Sequence, residues 1–263
     1  MPIIHIGPQQ MSYDDSGGGG PAVVFSHSFS TNRSVFAPQL DALRSTYRCI
    51  TWDQRAHGGS YTTGPFNFWD SANDCLALLD HLRVENASFI GPSQGGFVSL
   101  RIAMLAPDRV RSLTILGSSA AAESPTKKAA YQQMHDALAA AGEAGPPQAL
   151  LDAYSDICFG SKVDADPWKR IWRGWPLQQS TLALQALVDR DDLVGRLEEV
   201  RAPTLVLHGT AGKSYAPAHG QAIAGGVPNS EGFVLIEGGA HFLNVTDPKP
   251  VNAELSRFLM RHA

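Results

Sequence analysis

Cysteine is scarce in this chain: Cys49, Cys75 and Cys158 are all there is, far apart in sequence. They make neither a zinc-ligand pattern nor a disulfide framework, and an odd number fits a reducing compartment. They read as packing thiols. Basic charge is not in excess either. Lysine and arginine number 21 against 25 acidic residues, for a net charge of −4, with no basic block and no interleaving of basic and aromatic residues. Nucleic acid and anionic membrane surfaces are therefore poor partners. No apolar run is long enough to span a bilayer. Met1-Pro2-Ile3-Ile4-His5 lacks the basic stretch and apolar core of an export signal. A cytoplasmic location and a small-molecule partner are the expectations left, and nothing selects an oligomeric state. No histidines combine with carboxylates at ligand spacing, so no metal is expected.

What is present is 263 residues, 43% of them hydrophobic and 17% charged, enough for one large core with an insertion. Short apolar runs suited to buried strands occur at 21–26, 47–52, 87–90, 112–116, 204–208 and 233–236. Helical periodicity is found at 35–44, 71–82, 97–106 and 251–261. The alternation predicts an α/β fold with a mostly parallel, doubly wound sheet, and an edge hairpin before about Tyr13. Between 120 and 190 the pattern becomes helical, with breaks at Pro146-Pro147 and Gly160. This reads as a helical cap inserted into a core made of residues 1–119 and 191–263. Trp168, Trp172 and Trp175 recur there at helical spacing. They either pack the cap onto the core or roof a substrate pocket; Phe66, Phe68 and Trp69 carry the same two readings.

The most informative stretch is Gly91-Pro92-Ser93-Gln94-Gly95-Gly96, a G-x-S-x-G turn between an apolar strand and a helix. Such a turn strains the serine backbone and exposes its hydroxyl at a helix N-terminus. Four further stretches fall in order around it: Val24-Phe25-Ser26-His27-Ser28-Phe29, Trp52 to Ser60, Leu205 to Ala211, and Glu237-Gly238-Gly239-Ala240-His241-Phe242. With these the chain resembles the α/β-hydrolase superfamily over nearly its whole length. The resemblance implies Ser93 as nucleophile and His241 as general base, with the backbone N–H groups of Phe29 and Gln94 as oxyanion hole. It implies no cofactor. His27, His57 and His208 read as structural.

Two positions depart from the pattern. Where the superfamily places its catalytic aspartate, this chain has Gly212, and Gly117-Ser118-Ser119-Ala120 offers no carboxylate at the alternative position. Glu123 is the nearest acid and would have to fold back to reach His241. Ser28 stands at the usual glycine of the oxyanion loop, either as a neutral change or as a hydroxyl lining a reshaped substrate pocket. The expected function is a serine hydrolase of a small, mainly apolar carboxylic ester or lactone. The alternatives are carbon–carbon bond hydrolysis or cofactor-free lyase, cyclase or oxygenase chemistry on the same fold, and a weakly active or inactive ligand-binding homologue.

Overall fold

The computed structural model describes residues 2–142 and 145–263. Eight strands form a single sheet: β1 (Ile3–Ile6), β2 (Gln9–Asp15), β3 (Ala22–Ser26), β4 (Arg48–Trp52), β5 (Ala87–Pro92), β6 (Val110–Leu116), β7 (Thr204–Gly209) and β8 (Ser230–Ile236). Their spatial order is β1-β2-β4-β3-β5-β6-β7-β8. The first two strands form an antiparallel hairpin at one edge, and β2 pairs antiparallel with β4. Every remaining pairing is parallel.

The near-continuous apolar runs have a direct cause. All residues of β3, β5 and β7 are buried, because helices cover both faces of the sheet. Side chains alternate between the two layers. Val23, Phe25, Ile90 and Leu207 join one apolar cluster, with Leu43 of α1 (Ala37–Leu43) and Val251, Leu255 and Phe258 of α10 (Pro248–His262). Val24, Phe89 and Val206 join the other, with Leu78 of α2 (Phe68–His81), Leu100 of α3 (Gln94–Leu105) and Ile223 of α8 (Pro217–Gly226). A single-turn helix, α9 (Leu243–Thr246), precedes α10.

Among the described residues, four α-helices lie between β6 and β7: α4 (Pro125–Ala141), α5 (Gln148–Phe159), α6 (Asp166–Arg173) and α7 (Leu177–Val188). Two indole N–H groups tie this insertion to the core: Trp172 donates to the Ser30 carbonyl at 2.9 Å and Trp175 to the Ala56 carbonyl at 2.8 Å. Element ends differ from the sequence expectation where capping decides. Helix α2 begins three residues before the apolar periodicity, because Asn67 and Asp70 close a reciprocal capping box. Helix α8 has no counterpart in the sequence reading. Its glycine- and alanine-rich run buries only Gly220 and Ile223, too little to write a periodic stripe.

Candidate active site

The loops after β3, β5, β6, β7 and β8 converge at the carboxyl ends of the parallel strands, where crevices form in open α/β sheets. Ser93 is the one residue between β5 and α3, with φ 49° and ψ −114°. Such a conformation costs a non-glycine residue about 1–3 kcal/mol and persists only when its surroundings fix it. Here they do. The Ser93 N–H donates to the Leu116 carbonyl at 2.8 Å, while its carbonyl accepts from the Gly96 N–H at 2.9 Å and the Ser118 hydroxyl at 2.7 Å. The flanking glycines are required by crowding. A Cβ on Gly95 would sit 1.7 Å from the Ser26 carbonyl oxygen, and one on Gly91 would sit 2.3 Å from the Gly95 carbonyl carbon.

His241 follows β8 across a tight turn in which Gly239 N–H donates to the Ile236 carbonyl at 3.0 Å. Its Nε2 lies 3.0 Å from Ser93 Oγ, although the two residues are 148 positions apart in sequence. Burial pushes its pKa down to about 3, with Lys127 and then His208 adding repulsion. The other ring nitrogen, Nδ1, is buried and has no hydrogen-bond partner among the described residues. For Nε2 to accept a proton from Ser93, Nδ1 must carry the ring hydrogen, which leaves a buried donor unpaired at a cost of about 1–3 kcal/mol.

A family model described as the alpha/beta hydrolase fold matches residues 21–248. The chain belongs to that family. The 3-oxoadipate enol-lactonase 1 of Acinetobacter baylyi is 31% identical to it over 197 residues, 73% of this chain and 71% of that protein. A hydrolase from Pseudomonas aeruginosa PA01 superposes with a TM-score of 0.87 at 25% identity, covering 98% of this chain and 97% of its own. The enol-lactonase of Burkholderia xenovorans LB400 has a TM-score of 0.88 over 98% of this chain and 100% of its own; at 24% identity that likeness concerns the fold alone. These relatives support a hydrolase.

In this hydrolase-fold chain, Ser93 and His241 open onto a cavity of about 260 Å³ whose other walls include Phe29, Tyr131, Tyr154 and Phe242. Helices α4 and α5 supply much of the lining. A neighbouring cavity of about 120 Å³ shares Phe29, Met134, Leu150 and Tyr154 with it. Gln94 opens α3 directly after Ser93, and Phe29 stands in the cavity wall. The Gln94 side chain has a task the sequence did not reveal: it donates to Gln54 Oε1 at 3.0 Å, and Gln54 in turn donates to the His27 carbonyl.

Six expected site or pocket residues lie elsewhere. Glu123 is not beside His241. It is buried against Arg190, whose Nη1 is 2.6 Å from Oε1, and the Tyr215 hydroxyl donates to the same oxygen. Arginine outcompetes a neutral imidazole for a buried carboxylate. Ser28 is fully buried and donates its hydroxyl to the Pro92 carbonyl at 3.1 Å, so it lines neither cavity. Trp168 stacks on Phe159 at 6.0 Å, away from both cavities. Trp172 borders the neighbouring cavity rather than that of Ser93. Phe68 packs on Phe97 in the core, and Trp69 donates to Asp191 at 3.0 Å.

The two glycines nearest the expected acid positions differ in their surroundings. A Cβ at Gly212 would lie 3.8 Å from the His241 backbone N and Cα, with the Gly209 carbonyl oxygen at 3.3 Å as its nearest contact. At Gly117 a Cβ would come within 3.6 Å of His241 Nδ1, but φ is +52° there and the His241 carbonyl oxygen would be at 2.9 Å. A side chain at position 212 needs a shift of a few tenths of an ångström from the Gly209 carbonyl, a smaller demand than the positive φ and 2.9 Å contact at position 117.

Two more buried histidines tie neighbouring loops together. His27 Nε2 accepts from the Gln54 N–H at 2.9 Å and its Nδ1 donates to the Ser28 carbonyl at 2.8 Å. His57 repeats the arrangement, accepting from the Ser30 N–H at 3.2 Å and donating to the Arg55 carbonyl at 2.8 Å. Both rings are thus neutral, and burial pushes their pKa values down to about 4 and about 3. His27, His57 and His241 take up protons near pH 6.5 only in the unfolded chain. Stability from these groups is complete above pH 6.5 and declines as pH falls toward their folded values. Calorimetry at pH 5 in buffers of different ionisation enthalpy is expected to register uptake of at least about three protons on unfolding, His208 and His219 adding to it because burial lowers their pKa values too; no uptake would show that these rings are charged in the folded protein.

Proposed function

We propose that the protein is a serine hydrolase acting on a small, mainly apolar carboxylic ester or lactone. The observation that carries this reading is the 3.0 Å approach of Ser93 Oγ to a neutral His241 Nε2 in the floor of an apolar cavity. Ser93 Oγ attacks the carbonyl carbon while Nε2 takes its proton. The carbonyl oxygen gains negative charge and is met by the peptide N–H groups of Phe29 and Gln94, aided by the N-terminus of α3. Collapse expels the alcohol, protonated by His241, and leaves an acyl group on Ser93. Water, deprotonated by His241, then releases the acid. Helices α4 and α5 serve as a cap that sets acyl and alcohol size. Apolar walls weaken the competing pull of bulk water on the developing charges.

A fluorophosphonate probe tests the reading. Covalent labelling of Ser93, slowed at least about 100-fold by His241→Ala, is the expected result. Turnover that survives Ser93→Ala would instead assign the chemistry to His241 acting without a serine nucleophile. Tight ligand binding with neither labelling nor turnover would make the chain a binding protein.

A further inference from the structure

Two loops of the core hold a residue in a conformation that side chains avoid, and the insertion places a donor on each. Ser30 follows Phe29 with φ +60°, and Ala56 lies between β4 and α2 with φ +64°. Both are buried. Positive φ is costly for a residue with a Cβ and persists only where the surroundings fix it. The carbonyls that accept the indole N–H groups of Trp172 and Trp175 belong to these two residues. Any carbonyl would satisfy an indole donor. The described residues include two others of this strained kind, Arg83 and Ser93.

Ser30 is held by each of its polar groups. Its N–H donates to His57 Nε2 at 3.2 Å, its carbonyl accepts from Trp172 at 2.9 Å, and its hydroxyl lies 2.7 Å from that of Tyr154. Tyr154 belongs to α5 and Trp172 to α6, and their rings meet edge to face at 4.8 Å. Two of the three bonds therefore come from the insertion. The positive φ has a consequence for the residue before it. Ser30 is the third residue of a turn closed by the Thr31 N–H, which donates to the Ser28 carbonyl at 3.2 Å. A turn that needs φ above zero at this place normally takes glycine there. The Ser28 carbonyl also accepts from His27 Nδ1 and Thr31 Oγ1, both at 2.8 Å. That carbonyl and the Phe29 N–H belong to one planar peptide, so fixing the first sets the direction of the second. The Phe29 N–H has no hydrogen-bond partner among the described residues.

We propose that Trp172 and Tyr154 are positioning residues of the oxyanion hole: by holding Ser30, the docked insertion keeps the Phe29 N–H aimed at the carbonyl oxygen of a substrate on Ser93. The inference rests on the serine mechanism proposed above. The insertion then contributes to the rate as well as to the choice of substrate, although the Trp172 ring lies outside the Ser93 cavity. Without the indole donor the Ser30 carbonyl is buried and unpaired. Ser30 then relaxes toward negative φ, the turn opens, and the Phe29 N–H swings away.

Butyl trifluoromethyl ketone reads the hole without turnover. Ser93 Oγ adds to its carbonyl carbon, the hydroxyl proton passes to His241, and the C=O π pair moves to oxygen, giving a hemiketal oxyanion. The matching trifluoromethyl carbinol fills the same space and cannot form one. In calorimetric titrations the parent is expected to bind the ketone at least about 100-fold more tightly than the carbinol. Trp172→Phe, which keeps a ring and loses the N–H, is expected to weaken the ketone at least about tenfold and the carbinol less than about threefold. Tyr154→Phe, which loses one oxygen, is expected to shift the same ratio in the same direction by less, and it decides alone if Trp172→Phe does not fold. Equal losses for the two ligands would reduce these side chains to packing and overturn the proposal, as would an unchanged ketone affinity in both variants. A parent that binds ketone and carbinol alike would overturn the serine mechanism and this inference with it; absent probe labelling of Ser93 marks that case.

Discussion

Gly212→Asp is expected to raise kcat/KM toward a small ester by about 10²- to 10⁴-fold. In serine hydrolases the aspartate fixes the imidazole tautomer and stabilises the imidazolium formed during attack; replacing it costs on the order of 10⁴ in turnover. At roughly 1.4 kcal/mol per decade, that is about 5–6 kcal/mol of barrier. Here His241 Nδ1 is the buried, unpartnered atom such a carboxylate would satisfy, and position 212 lies beside the His241 backbone with a nearest contact of 3.3 Å. The pH profile gives a second readout. With His241 held down to about 3, the rate on a neutral ester is expected to be nearly flat from pH 7 to pH 5. A carboxylate at 212 favours the imidazolium, so its pKa rises and an acid limb enters that range. Unchanged rate and unchanged profile together would mean that position 212 is not the acid site. The parallel change Gly117→Asp is expected to give no gain, because of its positive φ and the 2.9 Å contact with the His241 carbonyl.

Gly95→Ala is expected to destabilise the fold by about 4 kcal/mol or more. The new methyl would be 1.7 Å from the Ser26 carbonyl oxygen, which belongs to the buried strand β3. Overpacking that a flexible side chain could relieve costs about 1–3 kcal/mol. Here the obstacle is backbone inside a parallel sheet, and β3 cannot yield without breaking its pairing with β4 and β5. At about 2–4 °C per kcal/mol for a chain near this size, the melting temperature is expected to fall by about 10 °C or more. Gly19→Ala is the matched control: no atom lies within 4 Å of its Cβ, and it is expected to melt within about a degree or two of the parent. A Gly95→Ala protein as stable as that control would mean that the turn is not crowded.

The core and the meeting of Ser93 with His241 were legible in the sequence because the features that produce them are written locally. Strands buried on two faces become continuous apolar runs, and the crowding around Ser93 demands Gly91 and Gly95 at fixed offsets. His241 could be placed because it follows the last strand, and parallel strands deliver their carboxyl ends to one edge. The surroundings of the pair were not legible for the opposite reason. Glu123, Arg190 and Tyr215 meet across 67 and 92 positions, and nothing near Glu123 announces either partner. Trp172 and Trp175 were readable as a helical stripe, but their hydrogen bonds to the Ser30 and Ala56 carbonyls depend on how the insertion docks. The Lys127–Tyr131–Met134 face of α4 has the right spacing for an inner face, yet one of its three members is charged, which hides it from a search for apolar periodicity.

The two indole anchors divide the insertion mechanically. Peeling α6 and the start of α7 from the core would strip partners from two N–H donors and two carbonyls at once, so that flank behaves as a fixed abutment. Helix α4 is held differently: none of its residues is fully buried, and Tyr131 and Met134 pack against the core from its inner face.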